Sequence, residues 1–146
     1  MTGDPDPKPG HRRTEKNPAA MRAWTASHYE CVACGEQGAN AHHVLERDDG
    51  GDDVPENLVT VCGSGTSRCH GALHGNTYVV EHPRIGTVRR DREWVAWRIG
   101  RHLVADRPDT IRYVIEKLGD VAGKHYLLSR YNVRPEEVDD AVESAA

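Results

Sequence analysis

The spacing of apolar positions changes along the chain, and each change marks an expected element. Ile111, Val114, Ile115 and Leu118 recur at helical spacing, with Asp109 as a candidate N-cap and Gly119 as a stop. Val121, Tyr126, Leu127 and Leu128 predict a further helix running through Gly123. Pro135, followed by Glu136 and Glu137, starts a last helix, since proline suits the first helical position and acids suit the first turn. Upstream, the short apolar runs Ala41 to Leu45 and Leu58 to Val61 are separated by Gly- and Asp-rich chain, which predicts a hairpin followed by a short helix. Residues 21–30, around Met21, Trp24 and Tyr29, predict one short helix more. Residues 1–20 hold Pro5, Pro7, Pro9 and Pro18 without periodicity and read as a disordered arm. The resulting class is α+β: a small core over 21–83, then an Arg-rich segment and a helical extension over 84–146.

Composition adds a constraint. Hydrophobic residues make up 37% of the 146, aromatics 5%, and Phe is absent. So thin a supply calls for a source of stability besides packing. No apolar run reaches the ~18 residues of a membrane span, and the first ten residues lack the apolar stretch of a secretory signal. A cytoplasmic protein is therefore expected, and in that reducing compartment four Cys are metal ligands before they are disulfides.

The net charge of −4 conceals a segregation. Residues 35–60 hold seven acids against one Arg, whereas residues 61–107 hold eight Arg against four acids. A basic segment beside an acidic one points to an oriented, polyanionic partner. Arg84, Arg89, Arg90, Arg92, Arg98 and Arg101 form the candidate DNA-binding surface, because forked guanidinium donors match phosphate. Trp94 and Trp97 lie between them and are expected to enter the core. Asp48, Asp49, Asp52 and Asp53 lack the spacing of a calcium loop and are expected to be solvated, facing away from a duplex. The helix after Pro135 has five acids and no base, which suits packing and not DNA recognition.

The chemistry-bearing residues concentrate between 31 and 74. Cys31-Val32-Ala33-Cys34 is a tight C-x-x-C turn, and Cys62 and Cys69 complete a Cys₄ set suited to tetrahedral Zn²⁺. His42 and His43 are adjacent, so on a strand they point to opposite faces. His70 and His74 are four apart, so on a helix their imidazoles share a face and can chelate one ion. Asn57, after Pro55-Glu56, reads by itself as a turn residue.

In this order and spacing the chain resembles the HNH endonucleases. Cys-x-x-Cys, then His42-His43-Val44, then Glu56-Asn57-Leu58-Val59, then Cys62 through Cys69-His70-x-x-x-His74 carry the resemblance, and the stretch Val61 to Gly71 is similar to phage-encoded versions. The resemblance covers roughly residues 28–80 and implies a ββα-metal fold. By implication His43 is the general base, Asn57 fixes the loop and orients it, and His42, His70 and His74 hold a catalytic divalent metal (Mg²⁺, Mn²⁺, Ni²⁺ or Zn²⁺). Cys31, Cys34, Cys62 and Cys69 bind structural Zn²⁺, though the long gap between Cys62 and Cys69 leaves Cys69 and His70 as alternatives for the fourth ligand. A phage origin would place the protein in the host cytoplasm beside the DNA-packaging terminase.

The expected function is hydrolysis of DNA phosphodiester bonds to 5′-phosphate and 3′-hydroxyl ends. An imidazole suits the deprotonation of water near neutral pH, and one divalent ion suits the phosphate and the leaving oxygen. A non-catalytic zinc module that binds nucleic acid or protein is the alternative; the intact histidines speak against it. A hydrolase of smaller phosphoesters would have no use for the extended basic segment.

Overall fold

Two short strands, β1 (Asn40–His43) and β2 (Leu58–Val61), pair antiparallel with His42 opposite Val59 and His43 opposite Leu58. In this computed structural model, which describes residues 16–38 and 40–145, they are followed by α2 (Arg68–Leu73). The ββα unit is preceded by α1 (Pro18–Ser27). A second hairpin follows, β3 (Tyr78–His82) and β4 (Gly86–Arg90), and then four helices: α3 (Arg92–Asp106), α4 (Pro108–Leu118), α5 (Asp120–Tyr131) and α6 (Pro135–Glu143). The class is α+β, as the sequence predicts.

The local rules explain most boundaries. Asn17 caps α1 by accepting from the Ala20 N–H, and Asp91 caps α3 by accepting from the Trp94 N–H at 2.9 Å. α4 begins at Pro108 rather than at a cap on Asp109, because proline pre-sets the first helical residue; Asp109 lies inside the first turn and binds the Arg107 side chain. α6 starts at Pro135 as expected. β2 starts at Leu58, since Asn57 closes a 3-10 turn over Pro55–Asn57. The arm expected over residues 1–20 lies outside the described residues up to residue 15, and from Pro18 it is helical.

One apolar cluster runs from Cys31 to Ala141, so the helical extension and the ββα unit share a core. Leu45, Leu58, Ile99, Leu103, Ile111 and Leu127 are fully buried, each contributing about 1.5–3 kcal/mol. α5 enters this core through Tyr126, Leu127 and Tyr131, while Val121 and Leu128 face solvent, 83% and 42% exposed. Trp94 packs on the core, but Trp97 is 42% exposed, against expectation: α3 buries the stripe Val95, Ala96, Ile99 and Leu103. Gly100 sits where a Cβ would lie 2.0 Å from the Tyr131 carbonyl oxygen, so its bare backbone lets α3 and α5 touch.

Candidate active site and metal centre

The 14 residues between β1 and β2 fold back on Asn57, whose side chain is fully buried. Its Oδ1 accepts from the Leu45 N–H at 2.8 Å, and its Nδ2 donates to the carbonyls of Leu45 (2.9 Å) and Asp52 (3.1 Å). Gly51 lies where a Cβ would come within 1.7 Å of the Leu45 carbonyl oxygen, so only glycine permits this closure. The loop is therefore a fixed scaffold at the end of β1.

Its acidic residues are not all solvated, which corrects the sequence expectation. Asp53 is buried, and its Oδ1 lies 2.8 Å from His43 Nε2 and 2.9 Å from Arg47. Oδ2 accepts from the Asn17 N–H at 2.7 Å, which ties α1 to the loop. Burial pushes the Asp53 carboxyl up, but the hydrogen bonds from Asn17, His43 and Arg47 outweigh it and hold the group below its ordinary range. Asp52 is buried as well, with its Oδ2 2.6 Å from the Tyr113 hydroxyl and 2.9 Å from Lys117 Nζ. An ionised carboxylate only accepts, so the contact with Asp53 needs the hydrogen on His43 Nε2, which in the neutral ring puts the lone pair on Nδ1.

His42 points the other way, as strand alternation requires. Its Nε2 is 3.0 Å from the Tyr131 hydroxyl, which also donates to the Val44 carbonyl at 2.7 Å. Burial, followed by repulsion from His70, His43 and His74, pulls the His42 pKa down to about 3, so its imidazole is neutral. His70 sits in α2 and His74 at its C-cap, with their Nε2 atoms 3.4 Å apart. Burial and then the charge of His74 lower the pKa of His70 too. Two nitrogens at about 2.0–2.1 Å from one tetrahedral ion stand about 3.3–3.4 Å apart, so this pair fits one metal.

The four cysteines converge more completely. All the Sγ atoms of Cys31, Cys34, Cys62 and Cys69 lie within 4.8 Å of one another, with Cys34 and Cys62 at 3.5 Å. This set can hold a metal ion and includes Cys69, whereas His70 faces His74. The Cys69 thiol hydrogen-bonds Cys31 and drives the Cys31 pKa down to about 4, while that same bond and burial push Cys69 far up. So many thiols cannot ionise together without a cation, which is the electrostatic demand of a structural metal. Tyr78 OH lies 3.0 Å from Cys69 Sγ, and Arg68 hydrogen-bonds Cys62. Among the described residues the cysteines are the group of three or more whose ligand atoms close together; His42 feels the charges of His70 and His74 without joining such a set.

The six candidate arginines divide. Arg84, Arg89 and Arg92 are exposed on the second hairpin and the start of α3. Arg90 lies between the Tyr78 and Trp94 rings, and Arg98 donates to the Ala33 carbonyl beside the cysteines. Arg101 makes two 2.7 Å bonds to Glu137 of α6. Sequence reasoning missed Asp53 and Tyr131. Asp53 gave no signal apart from its neighbours in an acidic run, and Tyr131 lies 89 residues from its partner.

Residues 31–76 match the family model described as HNH endonuclease, so the chain carries an HNH endonuclease domain there. The match begins at Cys31 and ends two residues past His74, enclosing the cysteines, the histidine pairs and Asn57. Neither the curated proteins nor the solved structures hold a match to this chain. The HNH domain implies nuclease chemistry on a nucleic acid with a divalent metal, and among the described residues no helix is long and apolar enough to cross a membrane.

Proposed function

We propose that the protein is a metal-dependent DNA endonuclease that leaves 5′-phosphate and 3′-hydroxyl ends. The observation that carries this reading is the His43–Asp53 pair at the end of β1, next in the chain to His42, whose imidazole feels the charges of His43, His70 and His74. His43 Nδ1 takes the proton from the attacking water. Asp53 holds the opposite edge of that ring and stabilises the imidazolium that forms. Asn57 keeps the loop carrying Asp53 in register with β1. The water oxygen bonds to phosphorus as the bond to the 3′ oxygen breaks, and the departing 3′ oxygen takes up a proton from solvent water to become the hydroxyl. His42, His70 and His74 would hold a divalent ion, which when bound would supply Lewis-acid stabilisation of charge on the phosphate and the leaving oxygen. Cys31, Cys34, Cys62 and Cys69 would hold a structural Zn²⁺, which would tie the start of α2 to the C-x-x-C turn.

The duplex is contacted by the second hairpin. Residues 78–90 carry Arg84, Arg89 and Arg90 against Glu81 alone, and the turn exposes Arg84 and Ile85. Tyr78 anchors the base of this hairpin beside Cys69, four residues after His74. The chemistry is tested by the product ends: DNA ligase reseals a nick only when it carries 5′-phosphate and 3′-hydroxyl. Nicked plasmid that ligase cannot close rejects the proposed bond cleavage.

A further inference from the structure

The Tyr131 hydroxyl is buried and has a single hydrogen, which goes to the Val44 carbonyl at 2.7 Å; a carbonyl can only accept. With that hydrogen on the Val44 carbonyl, the hydroxyl accepts towards His42 Nε2, 3.0 Å away, and the pairing calls for the hydrogen on Nε2. In the neutral ring the lone pair is then on Nδ1. We propose that Tyr131 is a positioning residue which locks His42 in the Nε2–H tautomer, so that Nδ1 is the atom offered to the divalent metal.

The supporting geometry comes from outside the residues that match the family model. Tyr131 is the last residue of α5, and Gly100 of α3 gives its backbone room. The two rings meet edge-on, with planes at 75°, so the ring as well as the hydroxyl fixes the imidazole. Tyr126 also donates to the Val44 carbonyl, at 3.1 Å, and accepts from the Glu46 N–H, without reaching His42. A metal-binding histidine whose second nitrogen is held by an outer partner binds more tightly, and loss of such a partner typically weakens the metal about 10–100-fold. The helical extension is thus part of the metal site.

The inference rests on the reading of His42 as a ligand, yet the tautomer is read without metal at the histidines and without DNA. Long-range ¹H–¹⁵N correlation of histidine-labelled, zinc-loaded protein should show His42 as the Nε2–H tautomer. Tyr131→Phe, which keeps the ring, should release that preference and weaken Mn²⁺ binding, followed by the EPR signal of the free ion, about 10–100-fold. Tyr126→Phe should leave the His42 tautomer as in the wild type. A wild-type His42 that carries its hydrogen on Nδ1 overturns the proposal whether or not any variant folds. So does a Tyr131→Phe protein with unchanged tautomer, or with unchanged Mn²⁺ affinity. Failure of the underlying nuclease reading looks different: the expected tautomer in a wild-type protein that neither binds Mn²⁺ nor cuts DNA.

Discussion

His43 Nε2 sits 2.8 Å from Asp53 Oδ1, and that carboxylate is buried with Arg47 and the backbone of Asn17 around it. On the proposed reading of His43 as the base, the pairing turns Nδ1 of His43 toward the attacking water. Asp53→Asn keeps the shape of the side chain, but its amide can present a donor to Nε2 and so favour the wrong tautomer. We expect it to lower the cleavage rate at least about 10-fold, more than it lowers stability. Single-turnover rates on duplex DNA, beside a thermal melt of the same samples, check this.

The cysteine set predicts a dependence of folding on metal. Zinc binding in small domains is worth about 10–16 kcal/mol, as much as the whole stability of a typical domain at about 5–15 kcal/mol. Cys31→Ser, or chelation of the wild type, should therefore lower the melting temperature sharply and remove one zinc per chain. A Cys31→Ser protein with unchanged zinc content and melting temperature would reject the site.

The arginines predict unequal effects on DNA binding. Arg84 and Arg89 are exposed on the hairpin, so replacing both with Ala should flatten the dependence of log affinity on log salt by up to about 1.8, or 0.9 for each phosphate contact. Arg101→Ala should leave that slope unchanged and instead loosen α6, because its guanidinium is committed to Glu137. Fluorescence anisotropy on a short duplex at several salt concentrations separates the two.

The Arg101–Glu137 pair also sets a pH dependence of stability. The bond to Arg101 depresses the Glu137 carboxyl from 4.5 to about 2. A depressed acid stabilises the fold fully above its unfolded pKa and loses that contribution as pH falls through the folded one. The wild type should therefore lose up to about 1 kcal/mol between pH 4.5 and 2 that Glu137→Gln never has. Urea unfolding of both proteins across that range should show the two stabilities converging at the acid end.

How far these features are legible in the sequence follows from the range of the interactions. The C-x-x-C turn, the His42-His43 pair, the His70–His74 spacing and the helices at Pro135 and Ile111 are local patterns, and the structure contains all of them. The β3–β4 hairpin escaped because it straddles the start of the Arg-rich segment, where Tyr78-Val79-Val80 and the Gly86 turn are overshadowed by charge. Asp53 escaped because a run of acids reads as solvated until its partners are known. Tyr113 reaches Asp52 across 61 residues and Tyr131 reaches His42 across 89, and nothing in a linear pattern gives such a distance.

The most direct test of the central claim is supercoiled plasmid incubated with purified protein in Mg²⁺, Mn²⁺, Ni²⁺ and Zn²⁺, for the wild type and His43→Ala. The account predicts nicked or linear product from the wild type only when a divalent ion is added. It further predicts a loss of about 10²–10⁴ in rate for His43→Ala, with folding and zinc content retained. A folded, zinc-bound wild type that leaves the plasmid intact in every metal, or a His43→Ala protein that cuts within a few-fold of the wild-type rate, would contradict it.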